Sequence, residues 1–144
     1  MKTVRNLLEC KGHEVHSISP QATVFEALGA MAEKQVGALL VMEEDKLKGV
    51  FSERDYARNV VLKGKASRDT PVSEIMTPRI CLTTVTLDHT VDECLDLIND
   101  KRIRHLPVMS GEKVLGVLSI GDLVKAVIDQ QRFLIKQLES YIHS

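Results

Sequence analysis

An internal repeat constrains this chain more than any other feature of its sequence. When the sequence is shifted by 67 residues against itself, 13 of the 33 positions from Thr23 to Asp55 are identical, with no gap. The identical pairs include Thr23 with Thr90, Gly49 with Gly116, Ser52 with Ser119 and Asp55 with Asp122. Chance does not produce such a match. Two copies at so long a period indicate a duplicated domain and not a solenoid.

Each copy predicts the order strand, helix, strand, strand, helix. Apolar residues recur at helical spacing in both copies: Val24, Ala27, Leu28 and Met31, then Val91, Cys94, Leu95 and Ile98. Short apolar runs bounded by turn residues predict paired strands over 38–42 and 47–52, and over 106–109 and 114–118. A further helix is expected to begin at Ser52 and at Ser119, and a short strand is expected near 16–18 and near 82–85. This pattern predicts a mixed α/β (α+β) fold.

Three stretches lie outside the repeat. Residues 3–9 predict a short leading helix, and 63–79 form a polar connector with a helical turn over 72–76. Beyond Asp122 the last helix continues with an apolar stripe, made of Leu123, Val127, Leu134, Leu138 and Tyr141 or Ile142. Such a stripe needs a partner surface, so the helix either folds back on its own chain or joins a second subunit.

Composition excludes several classes of function. The formal net charge of −1 provides no overall field for nucleic acid or an anionic membrane. The three cysteines have no close pair, which favours a reducing compartment, and Cys81 and Cys94 are expected to be small core residues. The polar start and the short apolar runs predict neither a signal peptide nor a membrane span, and thus a cytoplasmic protein.

The sequence offers little support for an enzyme. It contains no nucleophile elbow, phosphate-binding Walker loop or glycine-rich dinucleotide fingerprint. The histidines and cysteines lack the spacing of zinc ligands. The prediction is therefore a non-catalytic protein without a metal.

A Gly-x-x-Ser-x-x-Asp motif ends the second strand of each hairpin, at Gly49–Asp55 and at Gly116–Asp122. A serine followed three residues later by a carboxylate at the start of a helix is a capping-box variant, so a purely structural role is one interpretation. The other is a ligand site. A helix N-terminus and a serine hydroxyl suit a phosphate, and the carboxylate can accept hydrogen bonds from a ribose diol.

The two repeats resemble a pair of cystathionine-β-synthase (CBS) domains, the tandem unit called a Bateman module. The resemblance covers about residues 15–125. It depends on Pro20 with Thr23-Val24, on the run Arg104–Val108, and on both Ser-x-x-Asp motifs. The segment 72–77 also resembles the one that introduces a second CBS domain. With its long last helix, the chain is similar to small stand-alone bacterial CBS-pair proteins.

The resemblance implies two pseudo-symmetric repeats packed as one module, with a nucleotide cleft on each side. The ligands implied are AMP, ADP, ATP or NAD(H), with S-adenosylmethionine less favoured. Matched by position, the first cleft would use Ser52, Arg54, Asp55, His89, Ile103, Arg104 and His105. The second would use Ser119, Ile120, Gly121, Asp122, Ile18, Ala22, Ala27, Val36, Gly37 and Ala38. Asp55 and Asp122 would anchor ribose hydroxyls.

The two clefts are expected to differ. Arg104 and His105 would serve the first, where the second receives Gly37 and Ala38, so the first should prefer more highly charged ligands. His105 is equally consistent with a structural histidine. The resulting domain prediction is a lead segment at 1–14, repeats at 15–62 and 80–144, and the connector at 63–79. The function predicted is a regulatory sensor that forms a homodimer, with a further protein partner left open. The alternative is an interaction module without a physiological ligand.

Overall fold

The chain forms two compact units, and the computed structural model describes residues 2–143. The first-repeat unit comprises Glu14–Leu82 and Gly111–Val114. The second-repeat unit comprises Met1–His13, Thr83–Ser110 and Leu115–Ser144. Both units contain helices and strands, which confirms the predicted mixed α/β fold.

The first-repeat unit contains a four-stranded sheet with helices. Its elements are β1 (Ser17–Ile18), α2 (Val24–Lys34), β2 (Ala38–Glu43), β3 (Lys46–Ser52), α3 (Glu53–Tyr56), a π-helical turn (Ala57–Val61), α4 (Val72–Ile75), β4 (Thr77–Pro78) and a 3₁₀ turn (Arg79–Cys81). The strand order is β1-β2-β3-β4, with β1 parallel to β2 and the other neighbours antiparallel. The predicted strands and helices of the first copy are all present.

A tight turn joins β2 to β3. Glu43 pairs with Lys46, and both residues of the turn between them, Glu44 and Asp45, have positive φ angles of 53° and 62°. Two left-handed residues match the right-handed twist of the flanking strands. The hairpin brings Ala38 opposite Ser52, so the start of β2 lies beside the end of β3 where the first motif is situated.

The first-repeat unit has its own aliphatic core. The apolar faces of α2, β2 and β3 meet there, joined by two residues of α4, Val72 and Ile75. Its buried members are Val24, Ala27, Met31, Leu39, Val41, Phe51, Val60, Val72 and Ile75. Part of the sequence predicted as a polar connector therefore contributes to this core.

The second-repeat unit begins with a helix from the start of the chain. Its elements are α1 (Val4–Lys11), α5 (Val91–Lys101), β5 (His105–Ser110), all but the first two residues of β6 (Lys113–Ser119), and α6 (Ile120–His143). The strands β5 and β6 form a two-stranded sheet. Leu7 and Leu8 of α1 belong to the core together with residues of α5, β5, β6 and α6.

Capping boxes determine where several helices start. The side chains of Thr3, Thr23 and Thr90 each accept a hydrogen bond from the backbone N–H three residues later. The side chain of that later residue in turn accepts the backbone N–H of the threonine. This satisfies N–H groups that a helix leaves without an internal partner. Ser52 does the same for α3.

Two expectations about the second copy were wrong. Residues 82–85 do not form a strand; only Val85 makes an isolated parallel bridge, to Val108. Cys81 is exposed at the end of a 3₁₀ turn, whereas Cys94 is buried as predicted. Burial raises the pKa of the Cys94 thiol to about 11, and the charge of Glu93 adds to this effect.

The last helix leaves most of its apolar stripe uncovered. In α6 only Leu123 and Ala126 are buried, whereas Leu134 and Leu138 are 50% and 62% exposed. With 24 residues, α6 is about 36 Å long. Within residues 2–143, no helix combines the length and apolar character required to cross a bilayer.

Candidate functional site

The first motif lies where β3 ends and α3 begins. The Oγ of Ser52 accepts the backbone N–H of Asp55 at 3.2 Å. Asp55 Oδ2 accepts the backbone N–H of Ser52 at 2.9 Å and its hydroxyl at 3.0 Å. The hydroxyl of Thr77, in β4, donates to Asp55 Oδ1 at 3.2 Å. Both oxygens of this half-buried carboxylate therefore have neutral donors from the same unit.

The second motif repeats this geometry where β6 meets α6. Ser119 Oγ accepts the Asp122 N–H at 3.1 Å, and Asp122 Oδ2 accepts the Ser119 N–H at 2.8 Å. The additional partner here is a cation. Lys11, the last residue of α1, donates from Nζ to Asp122 Oδ2 at 2.6 Å and to the Val117 carbonyl oxygen at 2.6 Å.

The environment of Asp122 favours its charged form. Burial acts to raise the pKa of this carboxyl, but the Lys11 ammonium and the hydrogen bonds from Ser119 outweigh it and hold the pKa below its ordinary value. The Asp122 side chain is 26% exposed and that of Lys11 33% exposed. The pair is thus partly shielded from solvent, where a hydrogen-bonded ion pair is stronger than at a free surface.

The glycine of each motif allows a neighbouring segment to approach the strand closely. A Cβ at Gly49 would lie 2.4 Å from the Thr77 carbonyl oxygen, and a Cβ at Gly116 would lie 2.9 Å from Leu8 Cδ2. The segment at 76–77 therefore packs against β3 in one unit, and α1 packs against β6 in the other. These two approaches bring Thr77 and Lys11 to their respective aspartates.

Several predicted binding residues lie near the first motif within their own unit. Ala38 pairs with Ser52 across the hairpin, and the Gly37 carbonyl accepts the Glu53 N–H at 3.1 Å. Arg54 is half-buried in α3. Of the others in this unit, Ile18 pairs with Val41, and the Ala22 carbonyl accepts the Val72 N–H.

Two residues that were predicted for the second cleft, Ala27 and Val36, pack against the core of the first-repeat unit. Ala27 is fully buried in the core of the first-repeat unit, so its methyl group is not accessible to a ligand in this structure. Val36 follows the left-handed end of α2 and is partly buried against the same core. Their small or branched side chains are explained by the close packing of α2 on the sheet.

The residues predicted to complete the first cleft belong to the second-repeat unit. The Arg104 carbonyl accepts the Ile120 N–H at 2.9 Å, which mirrors the bond from Glu53 to Gly37. His105 starts β5, and Ile103 packs against the core. His89 Nδ1 accepts the Thr86 N–H at 3.0 Å and so closes a local turn. The assignment of these residues to the Asp55 site stays a prediction.

The remaining predicted residues start α6. Ile120 is 41% exposed, and Gly121 is exposed, with the Ser119 hydroxyl 3.5 Å from the position of an added Cβ. Among residues 2–143, no group of three or more histidine, cysteine or acidic side chains is arranged to hold a metal ion.

Sequence reasoning missed Lys11 and Thr77. A signal was available, because the 67-residue shift that aligns the motifs also places Lys11 opposite Pro78, next to Thr77. Both positions precede the region of identity, however, and contain unlike residues. Only the fold shows that each supplies a donor to an aspartate.

Comparisons with known proteins agree on one family. The CBS domain model matches residues 9–62 and 72–129. The chain is 35% identical to the mitochondrial CBS domain-containing protein CBSX3 of Arabidopsis thaliana over 97% of this chain and 71% of the relative. Because that relative is named as mitochondrial, the cytoplasmic location stays a prediction.

Solved structures support the same assignment. The CBS-domain structure NE2398 superposes with a TM-score of 0.83 at 49% identity, covering 88% of this chain and 98% of that one. A CBS-domain protein from Burkholderia ambifaria has a TM-score of 0.85 at 43% identity, covering 90% and 96%. The CBS domain protein PAE2072 from Pyrobaculum aerophilum, solved in complex with AMP, has a TM-score of 0.72 at 25% identity, covering 83% and 88%.

The two copies of the internal repeat, at 23–55 and 90–122, each lie within a stretch that matches the CBS domain model, and the chain belongs to the CBS domain family.

Proposed function

We propose that this CBS pair is a non-catalytic regulatory module that binds adenine nucleotides, AMP above all, through its two Ser-x-x-Asp motifs. The observation that carries the proposal is the matched geometry of Asp55 and Asp122. In both motifs the carboxylate is half-buried and held by the serine three residues before it. An aspartate fixed in this way can accept hydrogen bonds from the two hydroxyls of a ribose.

The AMP complex of PAE2072 supports the choice of ligand. That protein shares the fold of this chain over most of its length, and AMP contains the ribose and phosphate that the motifs suit. ADP, ATP and NAD(H) share the adenosine group and are the alternatives to compare with AMP. In a regulatory module, the bound nucleotide changes the population of conformations that a partner recognises.

The competing interpretation is that each motif is only a helix cap. Both aspartates do complete capping boxes, so geometry within one motif does not separate the two roles. The chain offers a matched control, because Glu26 and Glu93 complete capping boxes of the same kind outside the motifs. Loss of any of these carboxylates should lower the stability of its helix start, but only the aspartates should affect nucleotide binding.

Titration calorimetry tests the proposal with AMP, ADP, ATP and NADH. Asp55→Ala and Asp122→Ala should each remove one binding site or weaken it by about tenfold or more, since a hydrogen bond to a charged group is worth about 1.5–3 kcal/mol. Glu26→Ala and Glu93→Ala should bind like the wild type. Thermal melting of each variant confirms folding. Unchanged binding by the folded double aspartate variant would exclude the proposed site.

We also propose that α6 joins two copies of the chain in a homodimer. The supporting observation is the uncovered apolar surface on the second half of this helix: Phe133, Leu134, Ile135, Leu138 and Ile142. Monomeric proteins rarely leave such a continuous patch in water. Light scattering should give twice the mass of one chain at micromolar concentration. Leu134→Glu with Leu138→Glu should give a monomer, and a monomeric wild type would contradict the proposal.

A further inference from the structure

The partners of the two motif aspartates differ in charge. Asp55 Oδ1 is occupied by the Thr77 hydroxyl, a neutral donor. Asp122 has a charged partner instead, because its Oδ2 accepts a hydrogen bond from the ammonium of Lys11. The second motif therefore combines a partly buried carboxylate with a nearby cation.

Lys11 retains a donor for a ligand. An ammonium has three N–H groups, and the Asp122 carboxylate and the Val117 carbonyl account for two of them. The partners of Lys11 lie on either side of the Ser119 cap: Val117 in β6 before it, and Asp122 in α6 after it. The Lys11 side chain is 33% exposed, so its third N–H is accessible to a ligand that binds near the start of the 24-residue helix α6.

The charge of Lys11 changes which ligands the motif tolerates. Without it, Asp122 would place a full negative charge at the site, and this would repel the phosphate of AMP, which has a charge of about −1.5 to −2 at neutral pH. With Lys11 paired to Asp122, the net charge of the pair is zero. A neutral adenosine gains almost nothing from this compensation, whereas a phosphorylated adenosine gains a great deal.

We propose that Lys11 is the specificity-determining residue of the second motif and makes it select a phosphorylated adenosine over adenosine itself. The inference rests on the proposed function, because it assumes that Asp122 binds the ribose. It adds a source of phosphate selectivity outside the Ser-x-x-Asp motif.

The test uses Asp55→Ala protein, in which only the second motif remains, with AMP and adenosine as probes in calorimetry. Lys11→Met should weaken AMP binding by about tenfold and adenosine binding by less than about twofold. The affinity of the Lys11→Met variant for AMP should also depend less on salt concentration than that of its parent. Lys11→Arg, which keeps the charge, should retain most of the preference for AMP. Lys136→Met removes the same charge at a point about 21 Å from Asp122 along α6, so this control should bind AMP and adenosine like its parent.

The outcomes distinguish this inference from the proposed function. Equal losses for AMP and adenosine, or no loss for either, would show that Lys11 only attaches α1 to β6, and would overturn the inference while leaving the nucleotide site in place. No AMP binding by the Asp55→Ala parent would overturn the inference together with the proposed binding site at Asp122. If Lys11→Met does not fold, Lys11→Gln, which keeps an N–H donor for the Val117 carbonyl, replaces it with the same expected results.

Discussion

Replacing Gly49 with alanine should destabilise the chain more than the matching change at Gly116. A Cβ at Gly49 would lie 2.4 Å from the Thr77 carbonyl oxygen and 2.8 Å from Met76 Sδ. The carbonyl belongs to β4, which pairs with β3 at this point through Gly49 and Pro78. Because a backbone atom is in the way, β4 must move as a whole. The expected cost is about 2–3 kcal/mol, the upper part of the range for overpacking.

The same change at Gly116 should cost less stability, because the added Cβ would contact a side chain and not the backbone. Its Cβ would lie 2.9 Å from Leu8 Cδ2, the end of a flexible side chain, which can change rotamer at a cost of about 1 kcal/mol. Gly29 provides the control. It lies within α2, and apart from the adjacent residues and backbone of that helix no atom lies within 4 Å of the added Cβ, so Gly29→Ala should stabilise the chain by up to about 1 kcal/mol.

Urea unfolding, followed by far-ultraviolet circular dichroism, measures all three variants. The midpoint should fall most for Gly49→Ala, fall less for Gly116→Ala and rise for Gly29→Ala. Movement of β4 should also take Thr77 away from Asp55, so Gly49→Ala should alter nucleotide binding at the first motif. If Gly49→Ala costs no more than Gly116→Ala, the distinction between a backbone obstacle and a side-chain obstacle is refuted.

Three further predictions concern charge and reactivity. The pKa of Asp122 is lower in the folded chain, so its charge stabilises the fold above the unfolded pKa of about 3.9, and this stability is lost as pH falls through the folded pKa. In urea unfolding below about pH 5, the free energy of unfolding of Asp122→Asn should therefore depend less on pH than that of the wild type. An unchanged pH profile would contradict this. Arg104→Ala should weaken ATP binding at the Asp55 motif and reduce its salt dependence while leaving AMP at the other motif nearly unchanged, as calorimetry can show; equal losses at both would contradict it. At pH 8, a thiol reagent should label the two exposed cysteines rapidly and Cys94 only after unfolding, whereas rapid labelling of all three would contradict the burial of Cys94.

The fold was predictable because local patterns and the internal repeat agreed. The helical spacing from Val24 to Met31 and the strand from Ala38 each had a counterpart 67 residues later, so that each copy supported the interpretation of the other. Capping signals such as Thr23 with Glu26 marked the starts of helices. The mixed α/β class and the resemblance to a CBS pair are confirmed.

The wrong expectations arose where the outcome depended on distant partners. Residues 82–85 are apolar enough for a strand, but only Val85 finds a partner, at Val108. The strand β4 was missed for the opposite reason, since Thr77 and Pro78 have little strand character and pair because Gly49 leaves space for them. Cys81 has apolar neighbours in the sequence but is exposed in a 3₁₀ turn. Sequence windows do not contain these long-range contacts.

The candidate site was predictable in part. Both motifs stood out because duplication preserved Gly, Ser and Asp while the residues between them changed. Lys11 could not be found in this way, because its role depends on a contact across 111 positions of sequence. The assignment of Arg104, His105 and the small residues near Gly37 to particular ligands stays a prediction for binding experiments.

The place of α1 in the second-repeat unit has a consequence for the order of folding during synthesis. Lys11 leaves the ribosome 111 residues before Asp122, a delay of roughly 5–20 s at ordinary rates of translation. Throughout that time Leu7 and Leu8 have no core to enter, because α5, β5, β6 and α6 have still to be made. Most of the first-repeat unit, in contrast, lies in one continuous stretch, Glu14–Leu82, and is complete early. The nascent chain therefore contains a helix whose apolar face must wait until β6 and α6 have been made, and this is the stage at which a chaperone would protect it.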